Sequence, residues 1–172
     1  MKELVILVDE KDKEIGTEEK LEAHKKGLLH RAISVFIFNS KNELLLQKRA
    51  FDKYHCGGLW SNSCCTHPHP QETTLEAAKR RLVEEMGIKI ELKEIGQLIY
   101  KVHFPQNNLF EHEFDHLFIG HYDENPKINP SEVSDFKWSS IETLLKEFQE
   151  NSQNYTPWFK IIFEEVLKKS FK

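Results

Sequence analysis

Apolar residues fall along this chain in short bursts, and their spacing changes between strand and helix periods. Leu4–Val8 is uniformly apolar and meets Asp9, after which Asp9–Gly16 is polar and turn-like. A short apolar run bounded by turn residues predicts a first strand. Thr17, followed by Glu18 and Glu19, predicts a helix N-cap with acids in the first turn, and Gly27 predicts the end of that helix. Ala32–Phe38 and Glu43–Leu46 predict two strands joined as a hairpin through Asn39-Ser40-Lys41-Asn42. Trp60–Cys65 predicts one short strand. Thr73 and Glu76 have the spacing of a capping box, and Leu75, Ala78, Leu82 and Met86 then recur at helical intervals until Gly87. Ile88–Tyr100 predicts one or two strands, Phe114–Ile119 a central strand covered on both faces, and Val133–Trp138 a further strand. Ser140–Phe148 and Pro157–Leu167 predict closing helices, with Pro157 in the first turn of the last. Strands interrupted by helices predict an α/β sandwich.

A length of 172 residues suits one domain with a full hydrophobic core. No repeat, low-complexity tract or Pro/Gly linker divides it, so residues 1–172 are expected to form a single domain. The formal net charge of −4 is spread over both signs and leaves no basic footprint for nucleic acid or an anionic membrane. No apolar run approaches the ~20 residues of a membrane span. The apolar N-terminal run is too short for a signal peptide, so the expected location is cytoplasmic. Three cysteines, Cys56, Cys64 and Cys65, argue by their odd number against a disulfide framework. Cys64 and Cys65 should face opposite sides of a strand, one thiol buried and one functional, in a reducing compartment.

Candidate chemistry begins on the helix after Thr73. The stretch Thr66-…-Glu72-…-Arg80-Arg81-Leu82-Val83-Glu84-Glu85-Met86-Gly87-Ile88 resembles the Nudix box. In that family the helical glutamates hold divalent metal over a diphosphate, since carboxylates approach such a polyanion only through a cation. Thr66 stands where the family has Gly, and Arg81 where its Arg-Glu pair has Glu. Loss of that carboxylate weakens the acid set that hydrolysis uses, and the guanidinium suits binding of a diphosphate instead. From the residues alone, a solvated helix face with an Arg81–Glu85 pair four apart reads the stretch equally well.

Three further stretches, Gly27-Leu28-Leu29-His30-Arg31-Ala32, Trp60-Ser61-Asn62-Ser63-Cys64-Cys65-Thr66-His67-Pro68 and Glu111-His112-Glu113, resemble the signatures of type I isopentenyl-diphosphate isomerases, in a match running from about Thr17 to Trp158. The resemblance implies a Nudix fold, a mixed β-sheet sandwiched between α-helices. It implies a metal site of His24, His30, His67, Glu111 and Glu113. Two residues apart, the glutamates would share a strand face. The residues by themselves leave His69, His112 and His116 as rival ligands. Three imidazoles and two carboxylates are more nitrogen-rich than Mg²⁺ prefers, so Mn²⁺ or Zn²⁺ would fit as well.

The resemblance further implies Cys65 as the catalytic thiol, two residues before the metal histidine. It implies Glu113 as an acid/base group, supported by Tyr100, and Trp158 as the ring facing a cation. Lys20, Arg49, Lys53 and Arg81 match positions for the diphosphate, and Glu85 would hold Mg²⁺ that arrives with substrate. The implied reaction protonates isopentenyl diphosphate to a tertiary carbocation and removes a proton to give dimethylallyl diphosphate. Glu113 is expected to give the first proton and Cys65 to take the second, the reverse order remaining open. Closure is expected from the segment containing Lys20. The implied partner is a small isoprenoid diphosphate, with the chain a monomer or weak dimer. Rival readings are a Nudix hydrolase, a diphosphate-binding module and a structural zinc protein, the last opposed by the absence of paired C-x-x-C spacing.

Overall fold

A computed structural model describes residues 3–53 and 55–170. Their strands form one nine-stranded mixed sheet. The elements in chain order are β1 (Leu4–Val8), β2 (Glu14–Glu19), α1 (Lys20–Lys26), β3 (His30–Phe38), β4 (Glu43–Arg49), β5 (Trp60–Ser61), β6 (Cys64–Thr66), α2 (Thr74–Met86), β7 (Lys93–Phe104), β8 (Leu109–His121), β9 (Val133–Ser140), α3 (Ile141–Glu150) and α4 (Pro157–Ser170).

The sheet lies between helices because its strands alternate. On β3, Ile33, Val35 and Ile37 point to one side and pack with Ala78, Leu82 and Met86 of α2. Phe36 and Phe38 point to the other and pack with Phe159 and Phe163 of α4. The same period of two sends Leu45 and Phe118 toward α2, and Leu44, Leu46 and Leu117 toward α4. Each such side chain, fully buried, contributes roughly 1.5–3 kcal/mol.

Several boundaries differ from the sequence pattern. Thr17 is not an N-cap. Glu14–Glu19 pairs antiparallel with β1, Thr17 opposite Ile6, and α1 starts after Glu19, which makes no side-chain cap bond. The ladder to β1 engages this backbone, and β-branched Thr17 suits it. Gly27 closes α1 as expected, with φ 63° and its N–H directed at the carbonyls of Ala23 and His24. β3 and β4 share only the pair Phe38↔Leu44 beside their turn and then diverge. β3 runs along β8 and β4 along β9, and these partners extend both strands beyond the expected limits. Trp60–Cys65 is two strands, because Asn62 and Ser63 leave the ladder. Ser63 Oγ takes the Ile37 N–H and donates to the Leu45 carbonyl. Residues 88–92 form no strand, although Ile88 and Leu92 pack into the α2 side; the strand runs from Lys93 to Phe104.

The capping box of α2 is formed as expected, Thr73 accepting from the Glu76 N–H while Glu76 accepts from that of Thr73. Leu75 is 38% exposed and Ala77 takes the buried position instead. Gly87 ends the helix at φ 65°, and a Cβ there would stand 2.8 Å from the Lys127 carbonyl oxygen. Gly87→Ala is therefore expected to destabilise the protein by at least about 1 kcal/mol, since both the backbone conformation and the space oppose a side chain. A urea midpoint equal to that of the unsubstituted protein would refute this.

Candidate active site

Strand register assembles the site. In the parallel β3/β8 pair His30 lies opposite Glu113, and in the antiparallel β7/β8 pair Tyr100 lies opposite the same Glu113. β6 pairs with β3 through Ile33↔Thr66, which delivers His67 one residue later. The donor atoms of His24, His30, His67, Glu111 and Glu113 all lie within 4.8 Å of one another, and all five residues are buried. His24 Nε2 is 3.1 Å from Glu111 Oε2, His67 Nε2 is 2.9 Å from Glu113 Oε1, and the Nε2 atoms of His30 and His67 are 3.2 Å apart. His24 and His30 turn their Nδ1 atoms to the carbonyls of Lys20 and Leu28, at 2.6 and 2.8 Å. Those contacts set the Nδ1–H tautomer and leave the Nε2 lone pairs facing inward. Converging nitrogens and carboxylates are the arrangement that a divalent cation holds together, so this donor set fits one. Burial pushes His67 down to about 4, keeping it neutral as a ligand must be. The rival histidines stand outside this donor group. His69 is half exposed near Glu72, His112 bonds the Gly27 carbonyl, and His116 is held between Asp12 and Glu94.

His67, Glu111 and Glu113 line a cleft of about 480 Å³ together with Cys65, Tyr100 and Trp158. Cys64 is wholly buried on the α2 side while Cys65 turns to the cleft, so the two thiols do face opposite ways. Cys65 Sγ donates to Asn62 Oδ1 at 3.1 Å and lies 3.5 Å from Ser34 Oγ, which itself donates to Asp115 at 2.8 Å. Asn62 has no freedom to flip, because its Nδ2 donates to the carbonyls of Val35 and Cys64. Burial, reinforced by Asp115, pushes the Cys65 thiol up to about 12. Tyr100 donates its hydroxyl to Glu113 Oε2. Burial and neighbouring Glu111 push Glu113 up, but the imidazoles of His30 and His67 prevail and hold it below its ordinary value.

Beyond this lies a cationic end. Arg81 contacts Glu85 at 2.9 Å, Glu84 at 3.2 Å, and Glu132. Lys53 donates to the same Oε2 of Glu132. Lys20 lines the cleft already, paired with Glu3 at 3.1 Å, and the segment before it is built into the sheet as β2. The Arg49 guanidinium lies over the Trp158 ring, 5.3 Å from its centroid. Glu85 is buried and accepts from Gln47 at 2.6 Å; burial pushes its carboxyl up against the pull of Arg81. The expected Arg81–Glu85 pair thus exists, but inside the cleft rather than on a solvated face.

Residues 28–159 match the model of the NUDIX domain. The isopentenyl-diphosphate Delta-isomerase of Pectobacterium atrosepticum is 50% identical over 162 residues, covering 94% of this chain and 90% of that protein. Isopentenyl-diphosphate Delta-isomerase 1 of Aromatoleum aromaticum is 49% identical over 167 residues, covering 97% and 94%. The chain belongs to the isopentenyl-diphosphate Delta-isomerase family, within the NUDIX fold. Crystal structures agree on the fold alone. A Deinococcus radiodurans protein matches with a TM-score of 0.70 at 21% identity, covering 87% of this chain and 90% of its own. The MutT protein of Methanosarcina mazei Go1 matches at 0.68 and 21% identity, covering 84% and 96%. Among the described residues no helix is long and apolar enough to cross a membrane.

Several members of this isomerase-family site escaped the sequence. Glu132 touches both Lys53 and Arg81, yet nothing near it in the chain marks it. His55 lines the cleft from a loop between β4 and β5 that drew notice only for its cations. Asn62, Ser34 and Asp115 gather behind Cys65 from three strands or their edges, and nothing in their spacing marked them. Glu72, by contrast, does not line the cleft itself and forms a two-point pair with Arg80, at 2.6 and 2.8 Å. That pair and the His69 N–H hold the Glu72 carboxyl below its ordinary value. A depressed carboxyl contributes stability above its unfolded value and loses it as pH falls through the folded one. Glu72→Gln is expected to lower stability by up to about 1 kcal/mol at pH 7, with the gap closing toward pH 3. Urea midpoints at both pH values test this, and a gap that persists in acid would refute it.

Proposed function

We infer that the protein interconverts isopentenyl diphosphate and dimethylallyl diphosphate. The observation that carries this reading is that Cys65 and Tyr100 share one cleft, with a cationic end, with His67, Glu111 and Glu113 of the five-donor His/Glu cluster, in a chain of the isomerase family. The whole chain, residues 1–172, would act as a single Nudix-type domain on a small isoprenoid diphosphate, as a monomer or weak dimer.

A proton adds to the terminal alkene carbon and leaves a tertiary cation. A proton then departs from the carbon next to the diphosphate-bearing one, and the double bond re-forms one position along. Cys65 Sγ and the Glu113 carboxyl are the groups proposed to give and take these protons. Each must act both ways, because the donor of one direction is the acceptor of the other. Asn62 and Ser34 aim the thiol, and Tyr100 holds Glu113 Oε2. Trp158, 4% exposed, would cover the cation and keep water away, and the guanidinium over its ring is consistent with a face that attracts positive charge. Lys20, Arg49, Lys53 and Arg81 are proposed to bind the diphosphate, whose oxygens would take the place of Glu132 between Lys53 and Arg81. His24, His30, His67, Glu111 and Glu113 would hold Mn²⁺, Mg²⁺ or Zn²⁺, and Glu85 a Mg²⁺ that would arrive with the diphosphate and supply positive charge against it. A bound cation would supply fixed positive charge that favours the ionised form of its carboxylate ligands. Arg81 in place of a box glutamate favours this reading over hydrolysis.

Metal-replete protein given isopentenyl diphosphate is expected to produce the acid-labile allylic isomer. Chelation should abolish the product and Mn²⁺ or Mg²⁺ restore it. Release of inorganic phosphate without that isomer would point to a hydrolase instead. Cys65→Ala and Glu113→Gln are each expected to reduce turnover by at least about 100-fold, as for loss of an acid/base group, with the urea midpoint still that of a folded protein. Turnover within tenfold of the unsubstituted enzyme would remove either residue from the mechanism.

A further inference from the structure

His55 stands between β4 and β5, and neither the box nor the metal cluster includes it. It is 8% exposed. Its ring stacks on Phe104, with centroids 5.2 Å apart and planes 7° from parallel, and meets Trp158 edge-on at 5.6 Å. Arg49 donates to the His55 carbonyl at 3.3 Å, which ties the backbone as well. Packing therefore fixes where the imidazole points, and it points at Glu111. His55 Nε2 is 2.8 Å from Glu111 Oε1, while Glu111 Oε2 faces His24 Nε2 at 3.1 Å.

Glu111 is thus engaged at both oxygens, one turned to the cluster and one away from it. A carboxylate held at one oxygen alone can rotate and present either one. A donor on the outer oxygen removes that freedom and leaves the inner oxygen aimed. We propose that His55 is a positioning residue of the metal centre, its Nε2 set 2.8 Å from Glu111 Oε1 as an ion-pair partner so that Oε2 is directed at the cation. This rests on the reading of His24, His30, His67, Glu111 and Glu113 as metal ligands. His55 itself lies outside the five-donor group, its ring 6.3 Å from that of His24. Its role is to restrain a ligand. It links the metal centre to the wall of the organic pocket, because the same ring packs on Phe104 and Trp158.

The test titrates Mn²⁺ into metal-stripped protein and reads the dissociation constant by calorimetry, without turnover. His55→Phe keeps an aromatic ring for the stack and removes the donor. His55→Gln gives up the ring and places an amide N–H near the former Nε2. The expected result is a 10–100-fold weaker Kd for His55→Phe and recovery of most of that loss in His55→Gln. The thermal midpoints of the stripped proteins should stay together, which a merely structural role would not allow. Binding by His55→Phe within twofold of the unsubstituted protein overturns the proposal. So does His55→Gln binding as weakly as His55→Phe, because the donor would then not be what matters. Failure of the unsubstituted protein to bind Mn²⁺ overturns the metal centre itself, and this inference with it.

Discussion

Nine successive residue pairs hold β3 parallel to β8, from His30↔Glu113 to Phe38↔His121. A parallel ladder with a buried strand on each side admits no slippage, because moving by one residue would turn every apolar side chain to the wrong helix. Its first pair puts an imidazole beside a carboxylate at the open end of the sheet. β7 then adds Tyr100 to the same carboxylate, β6 adds Cys65 opposite Ser34, and α1 adds His24 against Glu111. The packing of Ile33, Val35 and Ile37 on one helix and of Phe36 and Phe38 on the other is therefore what keeps the polar cluster in register.

The cleft joins two environments by different means. Around Glu113, burial opposes charge and close imidazoles overcome it, so the carboxyl stays low while the nearby thiol and phenol stay high. Around Arg81, cations and carboxylates lie in direct contact and neutralise one another. Trp158 and His55 pack on Phe104, and His55 also meets Glu111, so organic wall and polar floor share side chains.

What the sequence disclosed was local. The capping box of α2, the glycines ending α1 and α2 and the opposed faces of Cys64 and Cys65 each depend on a few neighbouring residues. Choosing His67 over His69, or Glu111 and Glu113 over His112 and His116, depended on resemblance, because periodicity treats these positions alike. The structure separates them by what each side chain can reach. Residues 14–19 were misread because a polar edge strand with a partner on one side looks like the start of a helix. Glu132 and His55 left no trace, since their partners are 51 and 79 residues away for Glu132 and 56 for His55.

The pairing of Glu132 with Lys53 and Arg81, and of Glu3 with Lys20, bears on how a polyanion finds the cleft. Seen from beyond a Debye length, these groups cancel, and the chain as a whole is mildly negative. A diphosphate bound as proposed would therefore not be funnelled from afar. On the proposed function, encounter would proceed at the pace of ordinary diffusion with little sensitivity to ionic strength, and selectivity would arise only at contact, where phosphate oxygens would trade places with carboxylates.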